Sequence, residues 1–391
     1  MLFAGCSSGR SSRPGVAVIG DRLTVVSSAP LSGALQSSGS ALINGERLAL
    51  SDAGGMVGPL TVGLAALNSV QGDGDLPSVP QVASNARIAI QDGTAIAYIG
   101  DYDSASTAIS LPLTNQGGIL QMSTDDGYSG FTSDRYAADG EPQRFYPSGR
   151  PNFGRLFPNE LLEARAQAKL QRQQGCKASF IITDASTFGG SQRQALAEQL
   201  QQEKIKVAGS ASLDATPQGG RSAAEKALRS GAQCIYYGGP GDPLGASILN
   251  RINAGGAGRQ LFAGRRSATT SLTARLNSAA QKAILIASPE ASSKAFEARY
   301  RARFGSSPGA AGLYGYEAMA VILDSIKRAG VNGRNRDSVI NAFRETRRRR
   351  SVLGTYSVSA SGESSLRRFT VWTVHAGRLV ESAGLTAAAN R

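Results

Sequence analysis

Residues 179–183, Ser179-Phe180-Ile181-Ile182-Thr183, form an apolar run of the length expected for a buried β-strand. Amphipathic and apolar segments alternate after it as far as Gly239. The predicted order is strand 179–183, helix 191–203, strand 206–210, helix 221–230 and strand 234–239. Strands that alternate with helices in this way are typical of βαβ units, whose neighbouring strands run parallel. The stretch 179–239 therefore predicts a doubly wound α/β sheet.

The same alternation continues on both sides of this stretch. Upstream, the predicted elements are strand 23–28, helix 41–53, strand 60–67, helix 81–91, strand 95–100, helix 106–115 and strand 118–123. Helix 160–174 leads into the stretch, and helix 244–254 and strands 260–264 and 282–287 follow it. Two series of similar length predict a duplicated architecture, and 391 residues suit two lobes of roughly 150 residues better than a single core.

Two segments lie outside these series. Residues 127–149 are rich in Gly, Asp, Pro and Tyr and lack periodicity, which predicts a long surface loop leading into a crossover. Helices 294–304, 314–329 and 336–346 and a final strand near 369–375 come after the second series. These are more helices than one lobe needs, so we expect the chain to cross back to the first sheet.

The chain is basic, because 42 Lys and Arg residues against 29 Asp and Glu residues give a formal net charge of +13. A basic face can attract nucleic acid. Most of the cations are scattered singly, however, and the one dense run, Arg347-Arg348-Arg349-Arg350, has no interleaved aromatic residues and no nucleic-acid-binding module around it. We therefore expect no nucleic-acid partner and a charge that serves solubility and steering near an anionic membrane or wall.

The composition also argues against an enzyme or a metalloprotein. His375 is the only histidine, and it ends the alternating run 369–375, as expected of a surface residue at a strand end. Serine hydrolases and cysteine proteases need a histidine base, and zinc sites need closely spaced Cys and His ligands that the sequence lacks. We expect no enzymatic activity, no metal and no other cofactor.

The N-terminal segment Ala4-Gly5-Cys6 resembles the lipobox of bacterial lipoproteins. The resemblance implies that Cys6 becomes lipid-modified and that residues 1–21 form a leader and a flexible tether. Phe3 stands where Leu is usual, and no basic or full apolar region precedes the box. A chance Ala-Gly-Cys sequence is the alternative. No apolar run in the chain approaches the ~20 residues that span a bilayer.

The other two cysteines, Cys176 and Cys234, lie at the starts of the predicted strands 179–183 and 234–239. In a doubly wound sheet the first and third strands of such a series are neighbours, so their N-terminal ends come within reach of a disulfide. Outside the cytoplasm such a pair tends to be oxidised. A disulfide between Cys176 and Cys234 and a pair of buried free thiols are the two alternatives.

Several short segments, taken in order, resemble one known family. They are Tyr98-Ile99-Gly100, Ser104-Ala105-Ser106-Thr107, 118–123, Phe153-Gly154-Arg155, Thr187-Phe188-Gly189, Tyr236-Tyr237-Gly238-Gly239 and 351–357. The family they resemble is the leucine/isoleucine/valine-binding family of ABC-transporter receptors, which has the type I periplasmic-binding fold. The similarity runs over most of 23–379, and the order and spacing of the segments carry it.

The resemblance implies two doubly wound parallel-sheet lobes joined by three hinge crossovers, with lobe 1 formed by 22–152 and 290–350 and lobe 2 by 153–289 and 351–385. A ligand cleft between the lobes also follows from the rule that open α/β sheets bind ligands at the carboxyl ends of their strands. The implied function is capture of a small molecule by hinge closure and its delivery to an ABC permease, outside the cytoplasm, by a lipid-anchored monomer. The alternative is a ligand-sensing receptor domain of the same fold that signals rather than transports.

In the family, a serine after the Tyr-Ile-Gly strand binds the ligand carboxylate at the start of a helix. Ser104 occupies that position here, preceded by Tyr102 and Asp103, which we place at the same site. Free backbone N–H groups at a helix start favour an anion. The alternative is that Ser104 or Ser106 is simply an N-cap.

The family's next contact loop, of the Ser-Pro-Ala-x-Thr type, corresponds to Ser123-Thr124-Asp125-Asp126-Gly127. Gly127 replaces the threonine, and Asp125 and Asp126 add two carboxylates. A carboxylate beside a ligand carboxylate repels it, and does so more strongly in a closed cleft than in water. We therefore place Asp125, Asp126 and Gly127 at the ligand site, where their side chains differ chemically from those of the family's contact loop.

In lobe 2 the family has a carboxylate that binds the ligand ammonium, and Arg265 stands at or next to its position. A cation there opposes an ammonium group. Arg265 could instead bind an anionic part of a different ligand, pair with Asp125 or Asp126 across the cleft, or lie with Arg266 on the surface. We therefore expect a small polar ligand, an amino acid or an amide-like molecule, that is not plain leucine.

Four aromatic residues complete the candidate site: Phe188, Tyr102, Tyr237 and Tyr314 align near family positions that pack against the body of the ligand. Aromatic walls with few polar groups are usual in clefts that bind small ligands. Each of these rings is equally compatible with a place in the hydrophobic core.

Overall fold

The computed structural model describes residues 16–256, 258–291 and 293–387, and it contains two large β-sheets flanked by helices. The elements of the first part of the chain are β1 (Arg22–Ala29), α1 (Gln36–Asp52), β2 (Met56–Val57), β3 (Leu60–Asn68), α2 (Val79–Gln91), β4 (Ala95–Ile99), α3 (Ser104–Gln116), β5 (Leu120–Ser123) and β6 (Phe153–Arg155). They form a six-stranded sheet of order β2-β3-β1-β4-β5-β6. Its strand pairs are parallel except for β2, which is antiparallel to β3.

The middle and last parts of the chain supply the second sheet and additional helices. The middle elements are α4 (Glu160–Gln173), β7 (Ala178–Asp184), α5 (Thr187–Gln202), β8 (Lys206–Leu213), α6 (Pro217–Arg229), β9 (Cys234–Tyr237), α7 (Pro243–Ala254), β10 (Gln260–Ala263), α8 (Thr270–Thr273), α9 (Ser278–Ala283) and β11 (Ile284–Pro289). The last elements are α10 (Lys294–Phe304), α11 (Gly309–Ala329), α12 (Arg336–Arg344), β12 (Arg349–Ser351), β13 (Gly354–Tyr356), β14 (Arg368–His375) and β15 (Arg378–Thr386). The second sheet has the order β15-β14-β11-β10-β9-β7-β8.

The predicted fold class is confirmed, because the chain forms an α/β structure of two lobes in which parallel strand pairs dominate. One part differs from the prediction. The expected single final strand is an antiparallel hairpin, β14 and β15, which pairs with the edge of β11. Its two-residue turn, Ala376-Gly377, has positive φ at both residues, as tight hairpin turns require.

The chain passes between the two lobes after β6, after β11 and before β14. Two of these three crossings, the one after β6 and the one before β14, lie later in the sequence than predicted. Phe153–Arg155 pairs with β5 in the first sheet instead of opening lobe 2. Tyr356 and Val358, which the prediction assigned to lobe 2, are buried in the lobe 1 core with Phe343. The chain therefore enters lobe 2 only after β6, and after its second passage through lobe 1 it returns to lobe 2 only near β14.

Residues 127–149 were predicted to be a surface loop, but they enclose a small core of their own. Its aromatic members are Tyr128, Phe131, Phe145 and Tyr146, which pack with Leu111 and Phe153 of lobe 1. The segment also reaches lobe 2, where Tyr136 packs on the core and Arg135 forms an ion pair with Glu198. Aromatic residues in irregular positions have no period, which is why the pattern predicted a solvated loop.

Cys176 and Cys234 form a disulfide, with Cα atoms 6.0 Å apart. The reason is the one anticipated from the fold: β7 and β9 are neighbours, and Ser179 lies opposite Cys234. The pair therefore covalently connects the amino ends of two adjacent strands of lobe 2.

The lipidation site and most of the leader predicted at the N-terminus lie outside the described residues. This applies to Cys6 and to the tether as far as Gly15. Within the described ranges, 16–387 without positions 257 and 292, we find no helix with the length and apolar character of a membrane span.

Helix starts in lobe 2 follow from local capping chemistry. Asn159, Ser186, Thr216 and Asp242 precede α4, α5, α6 and α7, and their side chains accept hydrogen bonds from backbone N–H groups of the first turns. A proline is the first residue of both α6 and α7, where its missing N–H costs nothing. Because these caps follow shortly after the strands, the connecting segments are short and gather at one edge of the sheet.

Helix α1 packs closely against both the first sheet and α11. A Cβ atom at Gly45 or Gly315 would overlap the backbone of the opposite helix, so glycine permits this approach. The contact buries Glu46 completely, with one carboxylate oxygen accepting a 2.9 Å hydrogen bond from Ser27 and the other without a partner among the described residues. Burial raises the pKa of Glu46 to about 8, and the Ser27 hydroxyl and Arg47 only partly oppose this.

We expect Glu46→Gln to stabilise the protein in alkaline buffer. A carboxyl whose pKa is raised by folding contributes stability below its ordinary pKa of 4.5, and that contribution is lost as the pH rises through about 8. From pH 6 to pH 9 the free energy of unfolding of the wild type should fall by about 3 kcal/mol because of Glu46, and replacement of Glu46 by Gln should remove this decrease. Urea unfolding at both pH values measures it.

The matched control is Glu381→Gln, which changes an exposed glutamate of β15. Asp101 and Glu160 are also buried, and burial raises the pKa of each to about 7, so the Gln variant of Glu46 should retain a reduced pH dependence rather than none. An equal fall in stability for Glu46→Gln and the wild type would contradict the assignment.

Candidate functional site

The predicted site residues follow the carboxyl ends of strands in both sheets. β4 and β5 end just before residues 100–104 and 124–127 in lobe 1, and β10 ends just before 264–267 in lobe 2. Because parallel strands of one sheet end at the same edge, the segments that follow them lie side by side. The edges of the two sheets face each other, and the segments of lobe 1 meet 264–267 across a cleft.

One ion pair connects the two lobes across this cleft. Nη1 of Arg265, from lobe 2, lies 2.7 Å from Oδ1 of Asp125, from lobe 1. Of the three possibilities considered for Arg265, the structure therefore shows pairing with Asp125. The Arg265 side chain is 15% exposed and that of Asp125 is 43% exposed, so the pair is shielded from water mainly on the lobe 2 side.

Two further residues surround the Arg265 guanidinium. Oε1 of Glu163, on α4, accepts a 3.0 Å hydrogen bond from the backbone N–H of Arg265, and Oε2 lies 3.8 Å from Nε. The ring of Phe157 lies beside the guanidinium, with its centroid 5.1 Å from Cζ. Burial raises the pKa of Glu163, while the charge of Arg265 acts to lower it. Arg265 is thus held by its own lobe as well as by Asp125.

Gly127 provides the space for this guanidinium on the lobe 1 side. A Cβ atom at Gly127 would lie 3.1 Å from Nη2 of Arg265 and 3.4 Å from Nε. A larger side chain such as threonine would therefore collide with Arg265 in its present position. The glycine and the arginine are sterically complementary.

Two predicted tyrosines lie near the ion pair. Burial raises the pKa of both Tyr102 and Tyr314, and the charges of Asp125 and Arg265 act on both hydroxyls. The ring of Tyr314 also packs edge-on against Phe157, with centroids 5.6 Å apart. Aromatic groups of lobe 1 and of the crossover after β6 therefore lie near the paired charges.

The alternative in which Ser104 or Ser106 is the N-cap of α3 is wrong. Asp103, and not Ser104 or Ser106, is the N-cap: its carboxylate accepts 2.9 Å hydrogen bonds from the N–H and from the hydroxyl of Ser106. Oγ of Ser104 accepts a 3.3 Å hydrogen bond from the N–H of Tyr128. A carboxylate of the chain itself thus lies where the positive end of the helix dipole favours an anion.

Asp126 points away from the cleft and into the hinge. Its carboxylate lies 3.2 Å from Nη1 of Arg155, and neither side chain is exposed. Nε of Arg155 also donates to Glu363 at 3.2 Å, and Nη1 donates to the carbonyl of Tyr128 at 2.7 Å. Arg155 is the last residue of β6, where the first crossover begins, and Glu363 precedes β14, so this network joins two of the three crossovers.

The architecture of two facing lobes with a cleft at the strand ends agrees with a comparison of sequences. A family model described as "Periplasmic binding protein" matches residues 23–377. The chain belongs to the periplasmic binding protein family. No curated protein sequence matches it significantly.

Solved structures of other proteins are similar in fold to this periplasmic binding protein over almost its whole length. A leucine-binding protein of Thermotoga maritima is 19% identical, with a TM-score of 0.78 over 93% of this chain and 99% of that one. A solute-binding protein of an ABC transporter of R. palustris, in complex with 4-hydroxybenzoate, is 18% identical, with a TM-score of 0.77 over 94% and 98%. A substrate-binding protein of Desulfitobacterium hafniense in complex with Leu is 15% identical, with a TM-score of 0.72 over 92% and 100%. At these identities the likeness establishes the fold alone.

The remaining two predicted residues of this periplasmic binding protein lie apart from the ion pair. Phe188 packs edge-on against Tyr128, with centroids 4.7 Å apart, and so forms a contact between the lobes. Tyr237 is buried in the core of lobe 2, and its hydroxyl donates to the carbonyl of Pro240. Its neighbour Tyr236 points to the opposite face of the strand, where Glu163 influences its hydroxyl. The alternation of a strand therefore brings Tyr236 closer to the site than Tyr237.

Sequence reasoning missed two residues of the site, Glu163 and Phe157. Glu163 lies in the first turn of α4 after the cap Asn159, where acidic residues are common for reasons of helix stability. Phe157 lies in the crossover between β6 and α4, which has no period. No signal in the sequence distinguishes either from an ordinary structural residue.

We expect Arg155→Met to destabilise the protein by about 3 to 5 kcal/mol, because it leaves Asp126 and Glu363 without their buried counter-charge. Urea unfolding measures the change. Arg150→Met is the matched control, since Arg150 is 64% exposed and pairs with Asp337 at the surface, where a loss below about 1 kcal/mol is expected. A similar small loss in both variants would show that the buried network does not hold the hinge.

Proposed function

We propose that this chain is an extracytoplasmic solute-binding protein of an ABC importer, which captures a small polar molecule by closure of its two lobes. The observation that carries the proposal is the ion pair between Asp125 and Arg265, because it places one charged group from each lobe in contact at the strand ends. A solute that contacts both lobes favours the closed arrangement over the open one by its differential affinity.

The solute we propose is an amino acid or an amide-like molecule other than plain leucine. The resemblance to the branched-chain family would require a carboxylate at the position of Arg265 to bind the ligand ammonium. Because Arg265 is a cation, we propose that the solute is recognised by contacts that differ from those of the branched-chain family. The named complexes of similar fold contain leucine in one protein and 4-hydroxybenzoate in another, so this architecture accommodates both amino acids and aromatic acids.

The proposed partners are the permease subunits of the transporter and the cell membrane. Delivery to a permease is the role indicated by the ABC-transporter proteins of similar fold. Attachment through a lipid on Cys6 is proposed from the resemblance to a lipobox. A disulfide between Cys176 and Cys234 supports a location outside the reducing cytoplasm. We propose that the protein acts as a monomer and binds no nucleic acid.

Titration calorimetry with the purified chain tests this proposal. The panel consists of the twenty amino acids, their amides, small amines and hydroxylated benzoates, and we expect at least one compound to bind with a Kd of about 10 μM or lower. Leucine, isoleucine and valine should not bind at that concentration.

Small-angle scattering with and without the best compound reports on closure and should show a smaller radius of gyration in its presence. Micromolar binding of a branched-chain amino acid would overturn the exclusion of leucine. The absence of binding by every compound of the panel would overturn the proposed role in solute capture.

A further inference from the structure

The lobe 1 side of the cleft carries negative charge at the positions closest to the ion pair. Asp103 caps α3, and its carboxylate already satisfies the N–H and the hydroxyl of Ser106. The positive end of this helix is therefore compensated by the chain itself, and a solute carboxylate placed there would meet a like charge. The hydroxyl oxygen of Ser104 accepts a hydrogen bond from the N–H of Tyr128, so Ser104 contributes no positive charge that would offset Asp103.

Asp125 and Arg265 differ in whether a counter-charge remains beside them when the lobes separate. Among the described residues, the carboxylate of Asp125 accepts a hydrogen bond from Arg265 alone. Arg265 also has Glu163, which lies in the same lobe and is only 3% exposed. Opening therefore leaves Arg265 compensated by a neighbouring carboxylate, but leaves Asp125 without a counter-charge. The charge that the open cleft requires is positive.

The surroundings of the pair favour a cation as well. The ring of Phe157 lies beside the guanidinium at a distance typical of cation–π contacts, and Tyr102 and Tyr314 lie near the same charges. The net charge of +13 on the whole chain opposes a cation at long range. Salt screens that effect beyond about 8 to 10 Å, whereas Asp125 acts at contact distance.

From this geometry we infer that the solute carries an ammonium or guanidinium group, and that this group replaces the Arg265 guanidinium as the partner of Asp125. The inference rests on the proposed function and adds the charge of the ligand to it. Arg265 is then a specificity-determining residue: it competes with the solute for Asp125 and yields to a cation that binds the same carboxylate. A purely anionic solute would instead bind to Arg265 and need it.

The two possibilities predict opposite effects of one substitution. We use agmatine, putrescine and L-arginine as cationic probes and 4-hydroxybenzoate as the anionic probe, with titration calorimetry as the measurement. Arg265→Gln should strengthen the binding of the best cationic probe by about fivefold, because an internal competitor of modest strength is removed. Asp125→Asn should weaken it by about tenfold or more, because a charge-assisted contact is lost.

Two matched controls each remove one charge at a position away from the ion pair, one positive and one negative. Arg251→Gln removes an exposed arginine that pairs with Glu225 at the surface of lobe 2, and Asp139→Asn removes an exposed aspartate. Both should leave the affinity of the cationic probe within about twofold of the wild type. Circular dichroism melting confirms folding, and Arg265→Met, of similar length and without charge, serves as the second variant if Gln impairs folding.

Weaker cation binding in Arg265→Gln, or unchanged binding in Asp125→Asn, would overturn the inference. So would a failure of all three cationic probes to bind either the wild type or Arg265→Gln at about 1 mM. Binding of 4-hydroxybenzoate that disappears in Arg265→Gln would assign an anionic solute instead. That result would leave the proposed function intact, because a solute would still be captured between the lobes.

Discussion

The ion pair between Asp125 and Arg265 is the contact on which the arrangement of the cleft depends. Each partner follows the carboxyl end of a strand in a different sheet, so the pair forms only when the two edges face each other. Glu163 holds the arginine from lobe 2, and Gly127 leaves room for it on lobe 1. The backbone and side chains of both lobes are thus arranged around one cation.

A second arginine has a different role because its environment differs. Arg155 is fully buried at the hinge and contacts both Asp126 and Glu363, so its charge is compensated in the low-dielectric interior where separation would be most costly. The pair formed by Asp125 is partly exposed, and water can replace either partner at lower cost. On physical grounds, the proposed opening of the lobes should therefore break the contact in the cleft and preserve the one at the hinge.

Much of the fold followed from periodicity. The strands near 179–183 and 234–239 were predicted from apolar runs. Their neighbouring positions made a disulfide between Cys176 and Cys234 one of two alternatives, and it is the one that the structure shows. The hairpin at the edge of lobe 2 and the small core within 127–149 were not predicted. The hairpin depends on a two-residue turn, and the small core on contacts between residues without a regular spacing.

The sequence by itself determined that two α/β series exist and approximately where their strands lie, and the family resemblance assigned Arg265 and Asp125 to the candidate site. Only the tertiary structure decided that these two side chains meet, that Asp126 turns to Arg155 instead, and that Glu163 belongs to the site. The reason is that periodicity reports which face of an element is buried, and this depends on residues a few positions apart. The contact between Asp125 and Arg265 joins residues 140 positions apart and depends on how the sheets face each other.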